Sequence, residues 1–214
     1  MASELRQNIK SGVTIIKLVV TVVIIGVLAA ILFPIVEGTV GRAKAARLGQ
    51  KGREIYISIF DENVLKTALN EASIYPGSAT GSSNYYPTST AFLKDTIDKG
   101  YIKNVDFSFF SAPEMAVHAS TNSSGFEASH NAWCITADID EKTLSSVPFL
   151  FTRNIHVEAN NLAGAPSLNP GEKPFGNKLA VVVTKGGIVR IIPGEKFNQN
   201  TFNPTEAAYP VLRP

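Results

Sequence analysis

Charge is scarce in this sequence: 18% of its 214 residues are Asp, Glu, Lys or Arg, against about 25% in ordinary soluble chains. The formal net charge is only +2. That excludes the strong positive field of a nucleic-acid-binding domain, and no run interleaves aromatic with basic residues to replace it, so no nucleic-acid partner is expected. Cysteine occurs once, at Cys134, which excludes an internal disulfide framework and a multi-cysteine zinc site and leaves a buried thiol as the simplest reading. Also missing are G-x-S-x-G, P-loop, G-x-G-x-x-G and H-E-x-x-H patterns. The three histidines, His118, His130 and His156, have no metal-ligand spacing. His130 and Cys134 are four apart, but the second lies in a predicted strand, where that separation is about 13 Å. The chain is not expected to be an enzyme.

What it has in excess is one apolar run. From Leu18 to Val36 it reads LVVTVVIIGVLAAILFPIV, nineteen residues without a charge, fourteen of them Leu, Ile, Val or Phe. A bilayer span needs about twenty such residues. At roughly −0.3 to −0.6 kcal/mol for each large aliphatic or Phe side chain near the centre, the run favours insertion by several kcal/mol. Its β-branched richness does not make it a strand, because only a helix satisfies its own backbone groups in hydrocarbon. The predicted transmembrane helix covers 13–36. Before it lies a basic leader, 1–12, with Arg6 and Lys10 against Glu4, and no small-residue cleavage site of the secretory kind comes after the run. Beyond it come Arg42, Lys44, Arg47, Lys51 and Arg53. Taken alone, the positive-inside rule would put these five residues, and the body of the chain with them, in the cytoplasm.

At these residues the chain resembles the type IV pilin and type II secretion pseudopilin family. The resemblance lies in a basic leader ending at Gly12, an aliphatic Val13, then T-I-I, then the helix with IIGVLAAILFP. The later blocks NAWCITADID, PFLFTRN, PFGNK and VVVTKGG look similar to segments of pseudopilin-like proteins. The resemblance implies cleavage between Gly12 and Val13 by a prepilin peptidase and methylation of the new amino terminus. It implies an inner-membrane, single-pass subunit whose head lies in the periplasm or outside. Such a subunit self-associates into a pseudopilus or pilus-like filament in protein secretion. Partners implied are the peptidase, membrane lipid, an inner-membrane assembly platform with its ATPase, and minor pseudopilins.

Gly26 and Pro34 stand where that family carries a glycine and a proline bounding a stretch of helix that melts on assembly. Elementary chemistry agrees: Pro34 removes a donor and crowds the carbonyl of Ala30, and Gly26 lowers helix propensity by about 1 kcal/mol. Gly26 and Ala30 together offer a small-residue face for a neighbouring helix. Two positions depart. Val13 replaces the usual phenylalanine, and Lys17 stands where the family has a glutamate that neutralises a neighbouring amino terminus. Two cations cannot pair out of water, so Lys17 must snorkel to the headgroups or find an acid.

Beyond the span, 37–72 reads as an amphipathic continuation of the helix, with Ile55 and Ile59, and Tyr56, Phe60 and Val64, at four-residue steps. Gly38, Gly41, Gly49 and Gly52 are expected to weaken its start, leaving firm helix from Arg53 to Ala72. Residues 1–72 hold nine Lys or Arg and six acids, whereas 73–214 hold eleven and twelve, so a basic stalk precedes a near-neutral head. That head, 73–214, is expected to be α+β and pilin-like, with the long helix packed on a small antiparallel sheet.

Its elements are a loop at 75–90, a helix capped within Thr88–Thr90 and stopped by Gly100, a half-buried strand from Trp133, and strands at 148–152, 179–184 and 188–192. Lys185-Gly186-Gly187 joins the last two as a tight hairpin. Residues 157–178 read as a long loop and 194–214 as a tail.

No cofactor is expected. Asp138, Asp140 and Glu141 could chelate calcium, as acidic loops do in some pseudopilins, but no Asp occurs after Asp140 in the region that usually supplies such ligands, and a solvated strand end is the plainer reading. Two other functions stay open: a membrane-anchored extracytoplasmic binding module displaying the 157–178 loop, and an anchored hydrolase using one of the histidines.

Overall fold

A computed structural model describes residues 15–33 and 38–214; the long first helix, α1, is bounded by Ala2 and Ala68. The architecture is α+β, a long N-terminal helix and a small antiparallel sheet, and the chain falls into two compact units, Met1–Gly41 and Arg42–Pro214. Among the described residues of the first unit α1 is the only element, and every one from Ile15 to Phe33 is exposed.

The second unit is built on a five-stranded antiparallel sheet, ordered β6-β5-β2-β1-β7. The strands are β1 (Trp133–Thr136), β2 (Pro148–Thr152), β5 (Leu179–Thr184), β6 (Val189–Pro193) and β7 (Val211–Leu212); β3 (Ile155–Val157) and β4 (Pro166–Leu168) pair separately. Two short helices complete the unit, α2 (Ser89–Asp98) and α3 (Gln199–Phe202).

Within this unit α1 lays Ala45, Leu48, Ile55, Tyr56 and Ile59 against Trp133, Ile135, Phe149, Val181 and Val183 of the sheet. The glycines expected to loosen the helix instead let it approach. A Cβ on Gly49 would lie 2.4 Å from Val189 Cγ1, and one on Gly52 would lie 2.6 Å from the Trp133 ring. The helix therefore runs unbroken through both. The stripe also differs from expectation: Phe60 and Val64 are exposed, and buried Asn63 takes their place on the core side. Its carboxamide oxygen accepts from Ile74 N at 3.0 Å and its nitrogen donates to Glu141 at 2.9 Å, fixing where the chain turns back.

The helix ends at Ala68, not at 72. Asn70 takes a left-handed φ of 55°, Glu71 N–H donates to Lys66 O at 2.9 Å and Asn70 N–H to Thr67 O at 3.1 Å. That double closure is a Schellman motif, in which Asn serves where glycine is commoner.

The opposite face of the sheet is also covered. Cys134, Phe151, Ala180 and Val182 meet Ile155, Val157, Leu162, Phe202 and Val211. So β1 is buried at all four positions rather than half-buried; period two is present, but both faces are apolar. In β2 a register irregularity between Pro148 and Leu150 leaves Phe149 and Leu150 in the same cluster, as a bulge does. Residues 157–178 are correspondingly not one loop but contain β4, and the tail supplies α3 and β7. The α2 cap and hairpin agree with expectation. Thr88 accepts from Ala91 N–H at 3.1 Å, Lys99 pairs with Asp95 at 2.7 Å, and Gly187 (φ 74°) closes the β5–β6 turn, its N–H donating to Thr184 O at 2.8 Å.

Burial has a titration consequence. It pushes the Cys134 thiol up to about 12, and burial raises the phenols of Tyr75 and Tyr86 as well, Tyr86 also donating to Asp95. Above pH 9 an unfolded thiol releases its proton while the folded one keeps it, so the unfolded state gains and stability falls as pH rises toward the folded value. The unfolding midpoint of the chain is expected to drop steadily between pH 9 and 11, with a shallower slope in Cys134→Ala. A flat midpoint over that range would refute the burial argument. Cys134 is likewise expected to resist thiol reagents until the chain unfolds.

Candidate functional site

His118 and His130, twelve residues apart in sequence, come together with ring centroids 5.5 Å apart, both packed beside Phe126. Sequence spacing misses that pairing because irregular chain, not a regular element, joins them. Each ring is already engaged: His118 Nε2 lies 3.0 Å from Asn122 O, and His130 Nδ1 accepts from Glu127 N–H at 3.1 Å. His156 stands apart, exposed on β3. Cys134 is fully buried in the apolar layer on the sheet face opposite α1 and lacks access as a nucleophile.

The three acids considered for calcium are each held by protein donors. Asp138 accepts from the Ser78 backbone N–H at 2.9 Å and from its hydroxyl; Glu141 accepts from Asn63. Asp140 accepts from Thr143 Oγ1 at 2.9 Å and from the N–H groups of Lys142 and Thr143, and the Thr143 hydroxyl foremost holds its carboxyl below the usual range. Among the described residues no group of three or more His, Cys, Asp or Glu is gathered as metal ligands.

The feature that stands out is α1 in the first unit. It is long and apolar enough to cross a membrane, and none of its most apolar window is buried within the chain. At 1.5 Å per residue, Ile15–Phe33 extends about 28 Å, close to the roughly 30 Å hydrocarbon core. Side chains such as Ile16, Leu18, Val22, Ile25, Leu28 and Phe33 expose more than half of their surface. In water that area would drive association; in lipid it is solvated.

Three of the residues marked by the sequence lie on this stretch. Gly26 and Ala30, one turn apart, share a face, and a Cβ built on Gly26 would meet nothing within 4 Å. No contact inside the described chain requires a glycine there. Lys17 has no ion-pair partner among the described residues, although its carbonyl accepts from the Thr21 hydroxyl at 2.9 Å. Gly12, Val13 and Pro34 lie outside the described residues.

A second exposed apolar set lies on α1 in the other unit. Ile57, Phe60, Val64 and Leu65 expose 40–52% of their surface on the side away from the core, whereas sequence spacing alone reads Phe60 and Val64 as inward. No family model, curated protein or solved structure matches the chain.

Proposed function

We propose that the chain is a structural subunit of a pseudopilus or type IV pilus-like filament, processed between Gly12 and Val13 and assembled through α1. The observation that carries this reading is the exposed apolar surface of α1 from Leu18 to Phe33, a stretch without charge, joined in sequence to a second unit that has its own core. Such a surface is solvated by lipid before assembly and by neighbouring helices after it. Gly26 and Ala30 favour close helix approach, both are exposed, and a Cβ at Gly26 would meet nothing within 4 Å among the described residues. The stripe Ile57, Phe60, Val64 and Leu65 adds apolar area for a neighbour along the same helix. A helix packed on an antiparallel sheet accords with the pilin-like layout implied by the leader. The head then belongs outside the inner membrane, and the partners are copies of the chain, minor subunits, the peptidase and the assembly platform.

A second reading, an unprocessed single-pass anchor carrying a binding module, draws on Lys17 and on the basic residues after the span. Lys17 cannot supply the acid that neutralises a neighbour's amino terminus, and within a filament its charge needs an acidic partner. The mass of the amino terminus from native membranes separates the two. A methylated Val13 terminus is expected, and Gly12→Val should abolish its formation. An intact Met1 terminus, or unchanged processing of the Gly12 variant, would refute the subunit reading.

A further inference from the structure

A cluster of poorly neutralised positive charge lines a cavity in the second unit. Lys44, Arg47 and Lys51 bound a space of about 420 Å³ whose other wall is the segment Ser108–Val117. On a helix these positions, three and four apart, lie on one face and span about 10 Å. They are poorly neutralised. Lys44 meets Glu114 at 3.7 Å in a pair exposed on both sides, which solvent screening leaves weak. The Arg47 guanidinium has no hydrogen bond or ion pair among the described residues. Lys51 reaches only the carbonyls of Ser108 and Ser111, both at a long 3.4 Å, and sits 5.7 Å from the Phe109 ring centre.

Asp106, whose charge acts on Lys51, is turned onto its own cap, accepting from Ser108 N–H at 2.9 Å. The Lys51 ammonium is consequently uncomfortable: burial first, and the Arg47 charge second, lower its pKa, while Asp106 and Glu54 only partly offset them. The charge of a bound anion would oppose both effects.

The shape of the site narrows the anion. Cations spread over two turns of helix suit a group with oxygens on several sides. A phosphate offers three or more acceptors where a carboxylate offers two, and both Arg and Lys serve it well. Leu48, Ala112, Pro113 and Val117 make the remaining wall apolar, and Val117 leaves 59% of its surface exposed, so the ligand's phosphate can adjoin a hydrocarbon body. In sequence, Lys44 lies eight residues beyond Val36, the end of the apolar run, in the kind of juxtamembrane basic cluster that attracts anionic headgroups.

We infer that this cavity is a phosphate-binding site whose ligand is an anionic phospholipid headgroup or a free phosphate. It goes beyond filament assembly and does not depend on it. The test is calorimetric titration of the full chain in neutral detergent micelles with three probes: inorganic phosphate, short-chain phosphatidylglycerol and short-chain phosphatidylcholine. Saturable binding is expected, weakened about tenfold or more by Arg47→Gln and by Lys51→Gln, and unaltered by Arg53→Gln, an exposed cation outside the cavity. Near-ultraviolet circular dichroism from Trp133 verifies that each variant is folded, and Arg47, being exposed, is the variant least able to disturb the core.

Phosphatidylglycerol binding that clearly exceeds both other probes identifies the lipid headgroup. Inorganic phosphate binding at least as tight identifies a soluble phosphate. No saturable binding of either anion overturns the site. So does binding untouched by Arg47→Gln and Lys51→Gln, or weakened equally by Arg53→Gln.

Discussion

Gly52→Ala is expected to destabilise the second unit by about 1–2 kcal/mol, although alanine is the better helix former. The two effects have opposite sign and known sizes. Replacing glycine by alanine inside a helix gains about 1 kcal/mol of propensity. Here the added methyl would lie 2.6 Å from the Trp133 ring and 2.9 Å from Val183 Cγ2. Both residues are fully buried in the central sheet, so neither side chain can swing aside into solvent. Overpacking of that kind costs about 1–3 kcal/mol and at times more, because helix and sheet must separate.

Gly49→Ala provides the contrast. Its methyl meets Val189 Cγ1 at 2.4 Å, but Val189 is only half-buried, on the edge strand β6. A second change, Val189→Ala, should therefore restore most of the loss at 49, whereas Val183→Ala should not restore Gly52→Ala. Chemical unfolding followed by Trp133 fluorescence measures all four. If Gly52→Ala raises the midpoint, close packing of α1 on the sheet is wrong.

Those two glycines also show where sequence reading fails. Propensity is a local property, and on that scale Gly38, Gly41, Gly49 and Gly52 read alike. Only the partner surface distinguishes them: nothing lies within 4 Å of a Cβ at Gly38, whereas Gly49 and Gly52 face side chains of the sheet. The same blindness applies to Phe60 and Val64, which share the four-residue step of Tyr56 but are exposed. In β1 the alternation of Trp133 and Ile135 with Cys134 is legible, but not that the other face is covered too. That cover comes from Phe202 and Val211 in what reads as tail, and from Ile155, Val157 and Leu162 around it. Short strands such as β7, two residues long, carry too little pattern to be seen.

By contrast, features set by a few adjacent residues are visible at once: the Thr88 cap, the Gly187 turn and the uninterrupted apolar run. The phosphate cavity is half visible. Lys44, Arg47 and Lys51 read as a flanking basic cluster, but the wall that makes them a pocket comes from Ser108–Val117, more than fifty residues further on.

Replacing both Ile24 and Leu28 by arginine is expected to release the chain from membranes. Fourteen large apolar residues, at roughly −0.3 to −0.6 kcal/mol each, supply about 4–8 kcal/mol toward insertion before the less favourable Thr, Gly, Ala and Pro are counted. Each arginine near the centre costs about 2.5–3.5 kcal/mol, and each replacement also forfeits one apolar contribution. The sum is then near zero or unfavourable.

Ile24 and Leu28 are one turn apart, more than half exposed and outside both apolar core clusters, so neither change disturbs the packed core. Head stability should stay unaltered, with Trp133 reporting a native core. Two arginines on one face cannot both snorkel to the nearer interface without tilting the helix, since they lie seven and eleven residues beyond Lys17, about 10 and 16 Å of rise. A single Lys17→Glu, at the boundary, should by comparison leave membrane retention intact. Carbonate extraction followed by sedimentation reads the outcome directly. A double variant still in the pellet, with the parent chain in the same fraction, would mean that something other than the apolar length of α1 holds the protein to the bilayer.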